Sequence, residues 1–136
     1  MRVILIFIVF LLSYGCFAQT YLFDGKGNII AGTHIRTKPG EELKLIDSIN
    51  NNCFLLDSAH INIYALKQNH DTLWTTDPWK DNNIKVYRTK RPIIVQFDFA
   101  KNKWTDNKEV IWIVYNNTQF GIIDKRTGEF TWFGQD

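Results

Sequence analysis

The chain has 136 residues, 45% of them hydrophobic and 22% charged, which suits one ordinary domain with its own core and leaves no room for two. Its formal net charge of +2 is too small a surplus for general binding to nucleic acid or acidic membranes. With only two cysteines there is no disulfide framework, so stability has to come from packing.

The first segment, MRVILIFIVFLLSYGCFAQT, has Arg2 as its only charge, an unbroken apolar run from Val3 to Leu12, and then Ser13, Gly15 and Ala18. A positive start, a short apolar stretch and a small-residue exit describe a secretory signal peptide. The run is shorter than the roughly 20 apolar residues that a membrane-spanning helix needs. Cys16 and Ala18 put small residues at both positions a signal peptidase reads, so cleavage is expected before Gln19. The competing reading is a lipoprotein cut before Cys16, against which Ser13 stands where an apolar residue is usual. The expected organisation is a signal peptide over 1–18 and a single domain over 19–136. The mature protein is then periplasmic or secreted, and free of the membrane unless lipidated at Cys16.

Thr20–Phe23 and Ile29–Ile30 flank Asp24-Gly25-Lys26-Gly27-Asn28, which supplies the turn chemistry of a hairpin. A calcium loop is the other reading of Asp24-Gly25, but Lys26 falls where such a loop needs an oxygen ligand. Pro39-Gly40 then breaks the chain. Leu43, Ile46 and Ile49 recur every three residues, and Glu41 and Glu42 suit a helix start, so Glu41–Ile49 is expected as a short helix ending at Asn50-Asn51-Asn52. Cys53, followed by Phe54-Leu55-Leu56, reads as a buried small hydrophobe. No local motif supports it as a nucleophile served by His34, His60 or His70.

A second helix, capped by Asp57 or Ser58, is expected over Ala59–Leu66. Ile61, Ile63 and Ala65 also alternate as a strand would, but the helix formers that follow favour the helix. Asp77-Pro78 ends this region, bracketed by Trp74 and Trp79.

From Ile84 the pattern turns to strands. Ile84–Tyr87 alternates, and Pro92 opens a run in which Ile93, Val95, Phe97 and Phe99 alternate with Ile94, Gln96, Asp98 and Ala100. Lys101–Lys108, containing Trp104, is a polar connection. Val110–Tyr115 is apolar on both faces, as a central strand is. After the turn Asn116-Asn117-Thr118, a closing hairpin pairs Phe120–Ile123 with Phe130–Phe133 around Lys125–Gly128. The expected fold class is therefore α+β, with one or two helices packed on a C-terminal antiparallel meander of three to five strands.

Chemistry is sparse. There is no Gly-x-Ser-x-Gly, no phosphate loop, and no histidine or cysteine spacing suited to a metal. No catalytic residue, metal site or cofactor is expected. Candidate binding residues come from three features. Lys85–Arg91 holds four basic residues and no acidic one, and offers Tyr87, Arg88 and Arg91 to an acidic partner. Trp79 and Trp104 lie in polar, loop-like stretches, where tryptophan is enriched at interfaces. Phe133 projects from the second face of the last hairpin.

Several of these stretches together are similar to a known pattern: a helix rich in Ala and Ile, Tyr87-x-x-x-Arg91-Pro92, an apolar strand, Val110-Ile111-Trp112-Ile113-Val114, and Gly121-Ile122-Ile123-Asp124 followed by Lys125-Arg126-Thr127-Gly128-Glu129. The arrangement resembles small bacterial immunity proteins with the cone-shaped fold of the nuclear transport factor two superfamily. The ending also resembles PepSY-type domains. The likeness runs from about Asp57 to the end of the chain, and it implies a fold without assigning any functional residue. The functional expectation is a small exported, non-catalytic binding protein with a protein partner and no nucleic acid. It would act as an immunity or inhibitor protein that neutralises a toxin or hydrolase in the bacterial envelope. The alternatives are a secreted hydrolase pairing Glu109 or Glu129 with His60 or His70, or a structural domain of an envelope assembly.

Overall fold

The computed structural model describes residues 22–23, 29–30, 39–101 and 105–135. β1 (Leu22–Phe23) and β2 (Ile29–Ile30) pair antiparallel, Leu22 opposite Ile30, as the hairpin chemistry predicts. Two four-stranded meanders follow. The first holds β3 (Leu43–Ile46), β4 (Cys53–Leu56), β5 (Ile63–Leu66) and β6 (Thr72–Thr76). The second holds β7 (Ile94–Ala100), β8 (Val110–Tyr115), β9 (Gln119–Ile123) and β10 (Phe130–Gln135). In both, spatial order follows chain order and every pairing is antiparallel. Between them lies one helical turn, α1 (Pro78–Asp81), with Asp77 as its N-cap and Pro78 in its first turn.

This corrects the α+β expectation: the described residues form two four-stranded antiparallel sheets, a two-stranded pair and a single short helix. The helix read over Glu41–Ile49 is β3, in which Leu43 and Leu45 pack against the core while Lys44 and Ile46 are exposed. The three-residue spacing of Leu43, Ile46 and Ile49 carries no packing, since Ile46 is 56% and Ile49 78% exposed. The helix read over Ala59–Leu66 is the β4–β5 turn and β5. The alternation of Ile63 and Ala65, both fully buried, prevails over the helix formers downstream. Ile84–Tyr87 is not a strand. It belongs to an irregular segment with a lone bridge between Tyr87 and Thr89. The strands at Ile94–Ala100, Val110–Tyr115, Gln119–Ile123 and Phe130–Gln135 form where the sequence places them, but a register shift between Ile94 and Gln96 puts Ile94 with Phe97 in the core in place of Ile93 and Val95.

The sheets face one another across a common core. Phe54, Leu56, Ile63 and Ala65 of the first sheet meet Ile94, Phe97, Ile111, Ile113, Tyr115, Ile123 and Phe130 of the second. Phe54 sits edge-on to Phe99 at 5.9 Å. Each aliphatic or aromatic side chain buried this way contributes about 1.5–3 kcal/mol. Gly121 lets the Phe130 ring lie flat across β9, because a Cβ there would come within 2.6 Å of that ring. On the outer face of the second sheet, Trp112 packs against Phe120 and Phe133 at 5.5 and 6.1 Å, in a second apolar cluster with Ala100 and Val110.

His60, fully buried at a left-handed φ of 58°, joins the sheets at one end. Its backbone carbonyl accepts from the Ile94 amide at 2.9 Å. Its ring nitrogens lie 3.0 Å from the Ile94 carbonyl and 3.0 Å from the Glu41 carbonyl. Both contacts are hydrogen bonds only when both nitrogens carry protons. Replacing this ring leaves a cavity and two carbonyls without their partner. His60→Ala is expected to cost about 2–4 kcal/mol, read as a lower urea midpoint with an unchanged slope; a midpoint within error of the parent would show that the ring does not clamp the sheets.

Candidate functional site

The loops divide between the two ends of the sandwich. At one end, the β3–β4 turn, the β7–β8 connection and the β9–β10 turn surround a cleft of about 660 Å³. Lys125 sits in its wall. Its ammonium donates to Asp47 Oδ2 at 2.8 Å and to Glu109 Oε1 at 2.5 Å, and stands 5.2 Å from the centre of the Phe99 ring. Asp47 also accepts from the Ile49 amide at 2.9 Å and is 1% exposed.

Burial by itself raises the Asp47 carboxyl, but the bonds from Lys125 and Ile49 outweigh it and hold the group below the usual carboxylate range. Burial likewise lowers Lys125, and the two carboxylates overcome that and keep it above the ordinary lysine value. A protonated ammonium held by two anions and an aromatic face is a brace between turns, not a nucleophile.

The β9–β10 turn is fixed on its other side by Trp74, whose indole N–H donates to the Lys125 carbonyl at 3.0 Å. Gly128, at φ 76°, lies directly on that indole, where a Cβ would come within 2.7 Å. Asp124 closes the turn by accepting from the Arg126 and Thr127 amides.

At the opposite end, residues 84–92 run past the β8–β9 turn and the end of β10. Buried amide side chains hold this segment by its backbone. Asn117 donates to the Tyr87 carbonyl and Gln119 to the Lys85 carbonyl, both at 3.0 Å. Asn117 also donates to Gln119 Oε1 at 2.7 Å, and Trp79 reaches the same oxygen through its indole N–H at 3.3 Å. Arg91 pairs with Asp77, the N-cap of α1, and lies 5.3 Å over the Trp79 ring. Arg88, exposed and at a left-handed φ of 56°, lies 4.8 Å over the Tyr87 ring.

The structure therefore gathers Trp79, Tyr87, Arg88 and Arg91 at one end of the molecule, on or against the same segment. Trp79 and Arg91 serve largely to hold it in place. Tyr87 and Arg88 lie nearer solvent, along with exposed Lys85, Val86 and Lys90. Phe133 stands apart, partly buried on the outer face of the second sheet against Trp112. Trp104 lies outside the described residues. Trp132 is 49% exposed.

Glu109 and Glu129 line the cleft, but neither His60 nor His70 does, and His34 lies outside the described residues. Among the described residues no cluster of His, Cys, Asp and Glu suits a metal ion, and no helix is long and apolar enough to cross a membrane. Sequence reasoning missed the Asp47–Lys125–Glu109 brace, whose members are 78 and 16 residues apart in the chain. No local pattern marks such a pairing. Comparison with known proteins adds no relative: no family model, curated protein or solved structure matches the chain.

Removing the ammonium leaves Asp47 buried and uncompensated. Because Lys125 and Glu109 are partly exposed, Lys125→Met is expected to cost about 2 kcal/mol, less than a fully buried pair would. Asp47 is depressed in the folded state, so its contribution is complete above the unfolded carboxylate value of about 3.9 and is lost as pH falls through its lower folded value. Lys125 is raised, so its contribution is complete below about 10.4 and is lost as pH rises through its higher folded value. The stability gap between the parent and Lys125→Met should be widest across neutral pH and close in acid, measured by urea unfolding at a series of pH values. A gap that does not change with pH would rule out the brace.

Proposed function

We propose that the chain is an exported, non-catalytic binding protein that receives an acidic surface of a protein partner on the segment Ile84–Arg91. One observation carries the reading. Val86 is 62% exposed and lies among exposed Lys85, Arg88 and Lys90, none of which forms an ion pair with another described residue. An exposed apolar side chain ringed by unneutralised cations suits a partner with a small apolar contact inside an acidic rim.

The backbone beneath is fixed before any partner arrives. Buried Asn117 and Gln119 hold two of its carbonyls, and Trp79 and Arg91 pack along its flank. A fixed segment loses little further freedom on binding, which favours affinity for a given contact area. The signal-like leader directs the protein to the envelope or beyond. Neutralising a toxin or hydrolase there, as an immunity or inhibitor protein does, is the form of binding that best fits both the location and the basic segment.

The test is affinity capture of the partner from the native envelope, followed by calorimetric titration of the purified pair. The triple variant Lys85→Glu, Arg88→Glu, Lys90→Glu should retain its unfolding midpoint, lose affinity on the order of tenfold or more, and lose most of the salt dependence of association. Unchanged affinity would move the binding surface elsewhere.

A further inference from the structure

The four sheet edges are not alike. β3 carries Lys44, and β7 carries Asp98, whose own carboxylate accepts from the Phe99 amide at 2.8 Å. β6 runs directly into Asp77 and α1. β10, Phe-Thr-Trp-Phe-Gly-Gln, is the second sheet's other edge and has no charged residue. Among the described residues, none hydrogen-bonds to its outer backbone edge. Edge strands are usually blunted by charge, proline, a bulge or a covering element. β10 has only the bulge between Trp132 and Gly134.

We propose that β10 is a dimerisation edge, on which a second copy of this chain adds its own β10 antiparallel. The strand is self-complementary about Trp132. With the two tryptophans opposed, Thr131 of each copy meets Phe133 of the other, and Phe130 meets Gly134. The opposed tryptophans form one cross-strand aromatic pair, a contact that stabilises a sheet, and the 49% of Trp132 left exposed is the surface that it would cover.

The charges at the two ends of the strand favour the same occupant. Glu129, exposed, immediately precedes β10. Gln135, at the far end, has its side-chain oxygen 3.5 Å from the Gln119 amide that also holds the Lys85 carbonyl. The antiparallel register places Glu129 of one copy opposite Gln135 of the other, beside exposed Lys85, and the twofold axis repeats the contact. A closed twofold pairing uses up both β10 edges and stops at two subunits. This inference does not depend on the identity of any other partner.

Sedimentation equilibrium of the exported protein over a wide concentration range tests it. The parent should fit a monomer–dimer equilibrium, and hydrogen exchange at residues 131–135 should slow as the dimer fills. Trp132→Lys, at an exposed edge position, should be monomeric throughout with an unchanged circular dichroism spectrum and unfolding midpoint. Glu129→Lys and Lys85→Glu should each weaken the dimer, and the double variant should recover it. A parent that stays monomeric at high concentration overturns the proposal. So does a dimer that survives Trp132→Lys, a double variant that fails to recover, or association that continues into open polymers.

Discussion

One ammonium group joins the turns of two sheets that share no strand. Lys125 lies in the β9–β10 turn, Asp47 follows β3 and Glu109 precedes β8, so a single cation fixes three loops from both meanders. The apolar core holds the sheets face to face, but apolar contacts are not directional and leave relative sliding weakly opposed. A buried carboxylate that must keep its counter-ion is directional. His60 lies at the other end, its two ring nitrogens each 3.0 Å from a carbonyl, one at the entry to β3 and one at the start of β7. Between these two anchors the sandwich has one alignment, and both loop clusters inherit their positions from it.

The ends have then been put to different uses. At the cleft end, charge is spent internally: Lys125 is neutralised, Asp124 closes its own turn, and Trp74 and Gly128 lock the hairpin from beneath. At the other end, uncharged amides carry the load. Asn117 and Gln119, each 1% exposed, hold the 84–92 segment by its carbonyls and leave its lysines and Arg88 facing water. The second arrangement leaves Lys85, Arg88 and Lys90 beside the exposed side chain of Val86.

The later half of the fold was legible in the sequence because its strands are long and alternate cleanly, as in Ile93–Ala100, or are apolar on both faces, as in Val110–Tyr115. The earlier half was not. Its strands are four or five residues long, too short for a period of two to stand out against a period of 3.6. Glu41, Glu42 and the run Ala65-Leu66-Lys67-Gln68 then tipped the balance toward helix, and tertiary packing reversed it. The residues of the basic segment were readable as a charge run, but its conformation was not. What fixes it is Asn117 and Gln119, about 30 residues away, where the local pattern shows only a turn and a strand start. Lys125 was likewise visible as a turn residue and invisible as a brace.

The two meanders also bear on how the chain reaches this state. Every described strand finds its partner next to it in sequence, so each sheet can grow hairpin by hairpin with little loop-closure entropy at any step. The contacts that close the largest loops are the ones between sheets, and Asp47 and Lys125 are 78 residues apart. Backbone order is thus local, while uniqueness is global. If the second meander forms without the first, it presents Phe97, Ile111, Ile113 and Ile123 to solvent until Phe54 and Leu56 arrive, and in that interval association competes with folding.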